Sequence, residues 1–197
     1  MGEIWAIILA AGESKRMKVP KMLLPFDGKT MIEKAIGNVK ASQVDRTLVV
    51  LGSYRDEILA AISSLNVKHC FNEYYKHGML SSVKCGFSNI PEDSDAVLVF
   101  PGDQPLIEPF VINKVIDAFR QSRKGIVIPV YRKKRGHPIL ISMKYREAVH
   151  SLSEKEGLRS LALIYPHDVL EVETKSANIL KDFNTKEEYL NEINQIK

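Results

Sequence analysis

Cysteine is scarce in this 197-residue chain. The two present, Cys70 and Cys85, have neither the paired spacing of a zinc site nor the number needed for a disulfide framework. Their apolar surroundings suit core thiols better than ligands. Long hydrophobic runs are absent as well: no stretch approaches the roughly 18 residues of a membrane span, so a soluble protein with no membrane partner is expected. The apolar start, residues 4–11, follows Glu3 instead of a basic region and runs into Gly12 and Glu13. It reads as a buried strand and not as a signal peptide, and a cytoplasmic location follows.

Neither sign of charge dominates. Against 28 Lys+Arg stand 24 Asp+Glu, and a net +4 is too small an excess to imply nucleic-acid binding while suiting anionic small molecules. The one basic run, residues 132–135, has only Tyr131 beside it, which is no stacking platform for bases. His69, His77, His150 and His167 show no metal-like spacing. Internal repeats, low-complexity tracts and long linkers are also missing, so residues 1–197 are expected to form one domain.

What the chain does contain is a βαβ rhythm. Apolar runs at residues 4–9, 47–51, 67–71, 96–100 and 126–130 alternate with amphipathic segments at 30–40, 54–65, 79–90 and 108–123. This predicts a doubly wound α/β fold, a mostly parallel, Rossmann-like sheet with helices on both faces. Ser53 is positioned to cap the helix over 54–65, with Asp56 at its positive end. After Val130 the rhythm changes: a loop at 132–135, a strand at 139–142, helices at 144–152 and 156–164, a strand at 169–172 and a last helix at 185–196. The part from 131 onward reads as a small substrate-facing subregion.

Two segments carry chemistry on their own terms. In Leu9-Ala10-Ala11-Gly12-Glu13-Ser14-Lys15-Arg16-Met17, small residues at a strand end let backbone N–H groups approach a triphosphate, where a Cβ would intrude. Arg16 and Lys21 add positive charge. Glycine occurs only once there, which excludes both the Walker phosphate loop and the dinucleotide fingerprint. The second segment, Val97 to Pro105, delivers Asp103 just beyond the carboxyl end of an apolar strand, where ligands of open α/β sheets bind. One carboxylate plus a triphosphate suffices to hold Mg²⁺. Asp103 is also a natural turn former, so a purely structural role competes with this one.

Taken together, L-A-A-G-x-S-x-R-M, P-K-x-L-L-P and G-D-Q-P resemble the motifs of the MobA-like nucleotidyltransferases, most closely the molybdenum cofactor cytidylyltransferases. The resemblance implies that Leu9, Ala10, Ala11 and Gly12 border the nucleotide, that Arg16 and Lys21 bind its phosphates, and that Asp103 holds Mg²⁺. It places Ser82 at the cytosine edge and Asn72 near the ribose or base, although serines at a helix start also serve as caps. R-G-H-P, with Gly136 and His137, is similar to the loop facing the acceptor, and Glu156-Gly157-Leu158-Arg159 to the following Gly-x-Arg element, whose usual Gly-Asp start is replaced here. The ending from Asp182 to Tyr189 is similar to D-x-D-T-P-E-D-x, with Asn184 for the second Asp and Lys186 for Pro. Asn184 can then meet the metal, while Asn184 or Thr185 can equally cap a helix.

The implied reaction transfers CMP from CTP to molybdopterin with release of pyrophosphate, and a molybdenum hydroxylase is a possible recipient of the product. Ala10-Ala11 stands where guanylyltransferases of the family read Ala-Gly-Gly, which argues against GTP. A guanylyltransferase on the same cofactor, a cytidylyltransferase acting on an isoprenoid or sugar phosphate, and a non-catalytic delivery protein are the competing readings. Intact Arg16, Lys21 and Asp103 argue against the last.

Overall fold

The computed structural model describes residues 2–196. Its first strand, β1 (Ile4–Ala10), is buried along its whole length, so both of its faces need cover. Strand alternation divides the strand between two layers: Ile4, Ala6, Ile8 and Ala10 face one hydrophobic core, and Trp5, Ile7 and Leu9 face the other. The chain then forms a short hairpin, β2 (Pro25–Phe26) and β3 (Lys29–Thr30), whose turn residues Asp27 and Gly28 have φ of 52° and 74°. This Asp-Gly hairpin was not expected from the hydrophobic rhythm, because two-residue strands carry no measurable period; the Asp-Gly pair was its signal.

Strands β4 (Arg46–Leu51) and β6 (Ala96–Pro101) flank β1 in parallel, and β5 (Lys68–Phe71) extends the sheet beyond β4. On the other side β9 (Ile139–Ser142) runs antiparallel between β6 and β7 (Ile126–Tyr131), and β10 (Val169–Glu173) lies parallel to β7. The order is β10-β7-β9-β6-β1-β4-β5, with β8 (Lys134–Arg135) paired to β7, so the expected mostly parallel, doubly wound sheet is present. Helices α1 (Met31–Lys40), α2 (Arg55–Ile62) and α4 (Pro109–Gln121) cover one face. Helices α3 (Met79–Ser88), α5 (Arg146–Ser151) and α6 (Arg159–Ile164) cover the other. Helix α7 (Lys186–Ile196) instead joins the hairpin, where Tyr189 packs with Met17, Phe26, Met31 and Phe183. None of these helices is long and apolar enough to cross a membrane.

Three local expectations are corrected. Ser53 caps nothing: its N–H donates to the Ala11 carbonyl, and Tyr54, in a left-handed conformation, precedes α2 without a side-chain cap. Residues 132–135 are not simply a loop. Arg132 and Lys133 form a tight turn with positive φ, and β8 then folds back on β7, with Arg135 paired to Glu171 of β10 at 2.7 Å. The cysteines are only half-buried, with Cys70 Sγ on β5 and Cys85 Sγ on α3 3.7 Å apart.

Candidate active site

The sheet order reverses at β1, since β4 leads away on one side and β6 on the other. A crevice opens outside the carboxyl ends of strands at such a point. Here it is a cleft of about 380 Å³, walled by the loop after β1, the end of β6, the start of α3 and the C-terminal segment. Alternation along β1 decides which motif residues reach it. Leu9 and Ala11 line the cleft; Ala10, one residue out of phase, is fully buried in the opposite core. The expected contact of Ala10 with nucleotide is therefore replaced by a packing role.

Hydrogen bonds shape the loop after β1. The Ser14 carbonyl accepts from the N–H groups of Met17 and Lys18, and Ser14 Oγ accepts from the Lys21 N–H at 3.2 Å. A Cβ built on Gly12 would meet no protein atom within 4 Å, so neither packing nor backbone angle demands glycine at this cleft-lining position. On the facing wall, β6 is followed by Gly102, whose N–H donates to the Leu9 carbonyl; a Cβ there would lie 2.8 Å from that oxygen. This close approach brings Asp103 to the cleft floor. Lys21 Nζ lies 2.5 Å from Asp103 Oδ2 and 3.4 Å from the Phe183 carbonyl oxygen. The Lys21 and Asp103 side chains are only 13% and 16% exposed, so the pair is shielded from salt more than a surface pair is.

The cleft is electropositive. Lys15 pairs with Glu13 and Lys21 with Asp103, while Arg16 and Lys76 line the cleft without an ion pair among the described residues. Two uncompensated cations and a backbone turn suit a polyanion. Arg16 also adds to the field that, after hydrogen bonds from the N–H groups of Asn184 and Thr185, holds the Glu188 carboxyl below its ordinary pKa. Thr185 Oγ1 in turn accepts from the Glu188 N–H at 3.2 Å, so the start of α7 is a reciprocal capping box and Thr185 is its cap. Asn184 lines the cleft, and its side chain donates to Asp182.

The wall at the start of α3 adds Tyr75, Lys76 and Gly78, which line the cleft beside Ser82. Met79, whose residue type suggests the core, is half exposed and lines the cleft as well. All lie inside the stretch from Asn72 to Gly86, where the glycine before a helix was the available signal. Asn72 does not line this cleft: it is 3% exposed and sits behind Ser82. Its Nδ2 donates to Ser81 Oγ at 2.9 Å and to Ser82 Oγ at 3.0 Å.

The residues of the R-G-H-P segment and Arg159 are divided. Gly136 is a packing glycine, since a Cβ there would collide with the Ile179 carbonyl oxygen, and the His137 N–H donates to that oxygen. His137 Nδ1 is buried with no hydrogen-bond partner among the described residues. Burial pushes the His137 imidazole below its ordinary pKa, opposed by the charges of Asp103 and Asp182, so the ring lies within reach of the fields of both carboxylates. Arg159 is exposed at the start of α6 and donates to the Glu156 carbonyl, outside the cleft lining.

A tight turn after β1, flanking cations and an acidic residue beyond the end of β6 suit a nucleotidyltransferase. The chain belongs to the MobA-like NTP transferase family, whose domain profile matches residues 6–169. It is 28% identical to the molybdenum cofactor cytidylyltransferase of Escherichia coli (strain K12), over 96% of this chain and 95% of that protein. Among solved structures, Rv0371c from Mycobacterium tuberculosis H37Rv has a TM-score of 0.88 at 23% identity, covering 98% of both chains. Its complex with manganese scores 0.84 at 22% identity and 98% coverage of both. A nucleotidyl transferase from Methanothermobacter thermautotroptrophicus scores 0.84 at 22% identity, covering 98% of this chain and 97% of that one. These structural likenesses concern the fold.

Proposed function

We propose that the protein transfers CMP from CTP to molybdopterin, or a metal-loaded form of it, with Mg²⁺ as cofactor and pyrophosphate as leaving group. The observation that carries this reading is the cleft at the β1 switch point, lined by Ala11 and Gly12 on one wall and by Asp103 on the other, which supports a base beside Ala11 and a triphosphate facing Asp103. The near full-length similarity to the Escherichia coli cytidylyltransferase supports the choice of base and acceptor.

The residues suit a metal that is shared with substrate. Among the described residues no group of three or more His, Cys, Asp or Glu side chains could hold an ion alone. Asp103 and Asn184 nevertheless line one cleft, and Mg²⁺ is commonly held by one or two carboxylates with phosphate oxygens and water completing the shell. A manganese complex of a structural neighbour is consistent with this. Bound there, the ion supplies charge neutralisation at the phosphates.

The chain's own groups do the rest. Backbone at Ala11 and Gly12 approaches the triphosphate, Arg16 offsets its charge, and Lys21 holds the Asp103 carboxylate while presenting an ammonium to the floor. An acceptor phosphate placed on the His137 side attacks the α-phosphorus in line, and no covalent nucleophile is required. The neutral His137 ring avoids adding a third cation that would compete for the acceptor. A molybdenum hydroxylase remains a candidate recipient, and a role for Arg159 in acceptor binding requires the α6 start to meet a large acceptor that extends out of the cleft.

Pyrophosphate release with Mg²⁺ and molybdopterin across CTP, GTP, ATP and UTP tests the reading. CTP is expected to lead GTP by roughly thirtyfold to a thousandfold in kcat/KM, from steric exclusion plus one unpaired polar group. Asp103→Asn should keep the fold and lose about a hundredfold to several thousandfold in turnover. Preference for GTP, or wild-type turnover of the variant at saturating Mg²⁺, overturns the corresponding part.

A further inference from the structure

Behind the base-side wall lies a polar network that the reaction itself does not require. Asn72 Oδ1 accepts from the Tyr74 N–H at 2.9 Å, and this fixes which end of the amide is which, because an NH₂ group could not accept that bond. Nδ2 therefore faces the two serine hydroxyls and spends both of its hydrogens on them, at 2.9 Å and 3.0 Å. Ser81 uses its own proton locally, on the carbonyl of Tyr74 or Gly78 at 2.9 Å and 2.8 Å. Ser82 has no such acceptor among the described residues, and it is the serine that lines the cleft.

We infer that Asn72 is a specificity-setting positioning residue: it donates to the inner lone pair of Ser82 Oγ and so aims the Ser82 hydroxyl proton into the cleft, to read a hydrogen-bond acceptor on the base. This rests on the reading of the cleft as a nucleotide site. A donor aimed outward matches the N3 acceptor of cytosine. It meets a repelling N–H at N3 of uracil or N1 of guanine if the same edge is presented. A free serine rotor would serve either sense, because a hydroxyl rotates to suit its partner. The buried amide removes that freedom. Four polar groups of Asn72, Ser81 and Ser82 are thereby satisfied, leaving one proton for ligand, which is the condition under which a polar network specifies a single arrangement.

The test is a double-variant cycle read by calorimetric nucleotide binding. Asn72→Asp keeps the shape and the bond from Tyr74 but replaces the donor by an acceptor, so the Ser82 proton turns inward. It should weaken CTP binding about tenfold, matching the loss of one net hydrogen bond, and narrow the CTP over UTP preference. Ser82→Ala should cost about the same, and the double variant should be no worse than Ser82→Ala alone. 3-deaza-CTP, which lacks the N3 acceptor, should bind Asn72→Asp and wild type equally. Unchanged melting of the variants separates aim from folding.

The cycle is read with whichever nucleotide binds tightest. A wild-type preference for GTP would overturn the cytidylyl reading while the cycle still decides on Asn72. Additive losses in the double variant, or a CTP over UTP preference unaltered by Asn72→Asp, would overturn the inference.

Discussion

Gly12 and Gly102 are both glycines beside a strand end, yet they answer to different neighbours. At Gly102 the obstacle to a side chain is the Leu9 carbonyl oxygen 2.8 Å away, whereas at Gly12 the space in front is cleft. Gly12→Ala should therefore unfold at a temperature within a degree or two of wild type, since nothing in the protein is displaced. Its methyl group would intrude where phosphate oxygens approach the backbone, and CTP affinity should fall by about tenfold or more. Denaturation and nucleotide titration of the same preparation check both halves; a variant that binds normally would show that the phosphates pass elsewhere. Residue identity alone told part of this. Ala10, Ala11 and Gly12 are equivalent small residues in the motif, and only the fold separates them: Ala10 falls on the core side of β1, while Ala11 and Gly12, beyond its end, line the cleft. Asn72 is the converse case, a polar residue read as a ligand contact whose hydrogen bonds are all taken inside the protein.

Among the elements, those with a strong period were legible and those made by pairing were not. β1 and β6 are apolar throughout, β4 is apolar from Leu48 to Leu51, and α4 carries its apolar residues at helical spacing, so they stand within two or three residues of their expected bounds. The hairpin β2–β3 and strand β8 are two residues each, and only their partners make them strands. The C-terminal segment shows what such small elements do. Phe183 is 3% exposed against Phe26, with ring centroids 5.7 Å apart, and its own carbonyl oxygen accepts from Lys21 on the cleft floor. Phe183→Ala should destabilise the fold by about 3–5 kcal/mol, as emptying a buried aromatic site does. It should also weaken nucleotide binding, which Val115→Ala in the α4 core should not. Equal binding losses in the two variants would detach this segment from the site. Its capping box carries a pH signature as well. The Glu188 carboxyl is held below its ordinary pKa by the N–H groups of Asn184 and Thr185, so its contribution is complete above the unfolded value of 4.5 and fades as pH falls through the folded one. The melting temperatures of wild type and Glu188→Gln should differ most near neutrality and converge in acid; a gap that widens in acid would mean the carboxyl is protonated in the fold.

For the whole molecule, the cleft joins parts that are far apart in sequence: the loop after β1, the end of β6, the start of α3 and the segment before α7. A ligand seated there bridges all four only in the folded state, so binding adds to stability by mass action. At a hundredfold excess over Kd the gain is about 2.7 kcal/mol, which for a chain of this size corresponds to a rise in Tm of roughly 5–10 °C. The rise should depend strongly on a divalent cation, because a triphosphate brought beside the Asp103 carboxylate without a metal is repelled by it, which offsets the attraction of Arg16 and Lys76. It should be largest for CTP, smaller for UTP and GTP, and nearly abolished for CTP in Asp103→Asn with Mg²⁺ present. It should survive neutralising Lys133, on the turn before β8, and Lys134, in β8 itself, both outside the cleft lining. Thermal melts of the intact chain with each nucleotide, with Mg²⁺ or with EDTA, read all of this without the acceptor. Equal shifts with and without metal would place the triphosphate on the cations alone and leave Asp103 a purely structural partner of Lys21.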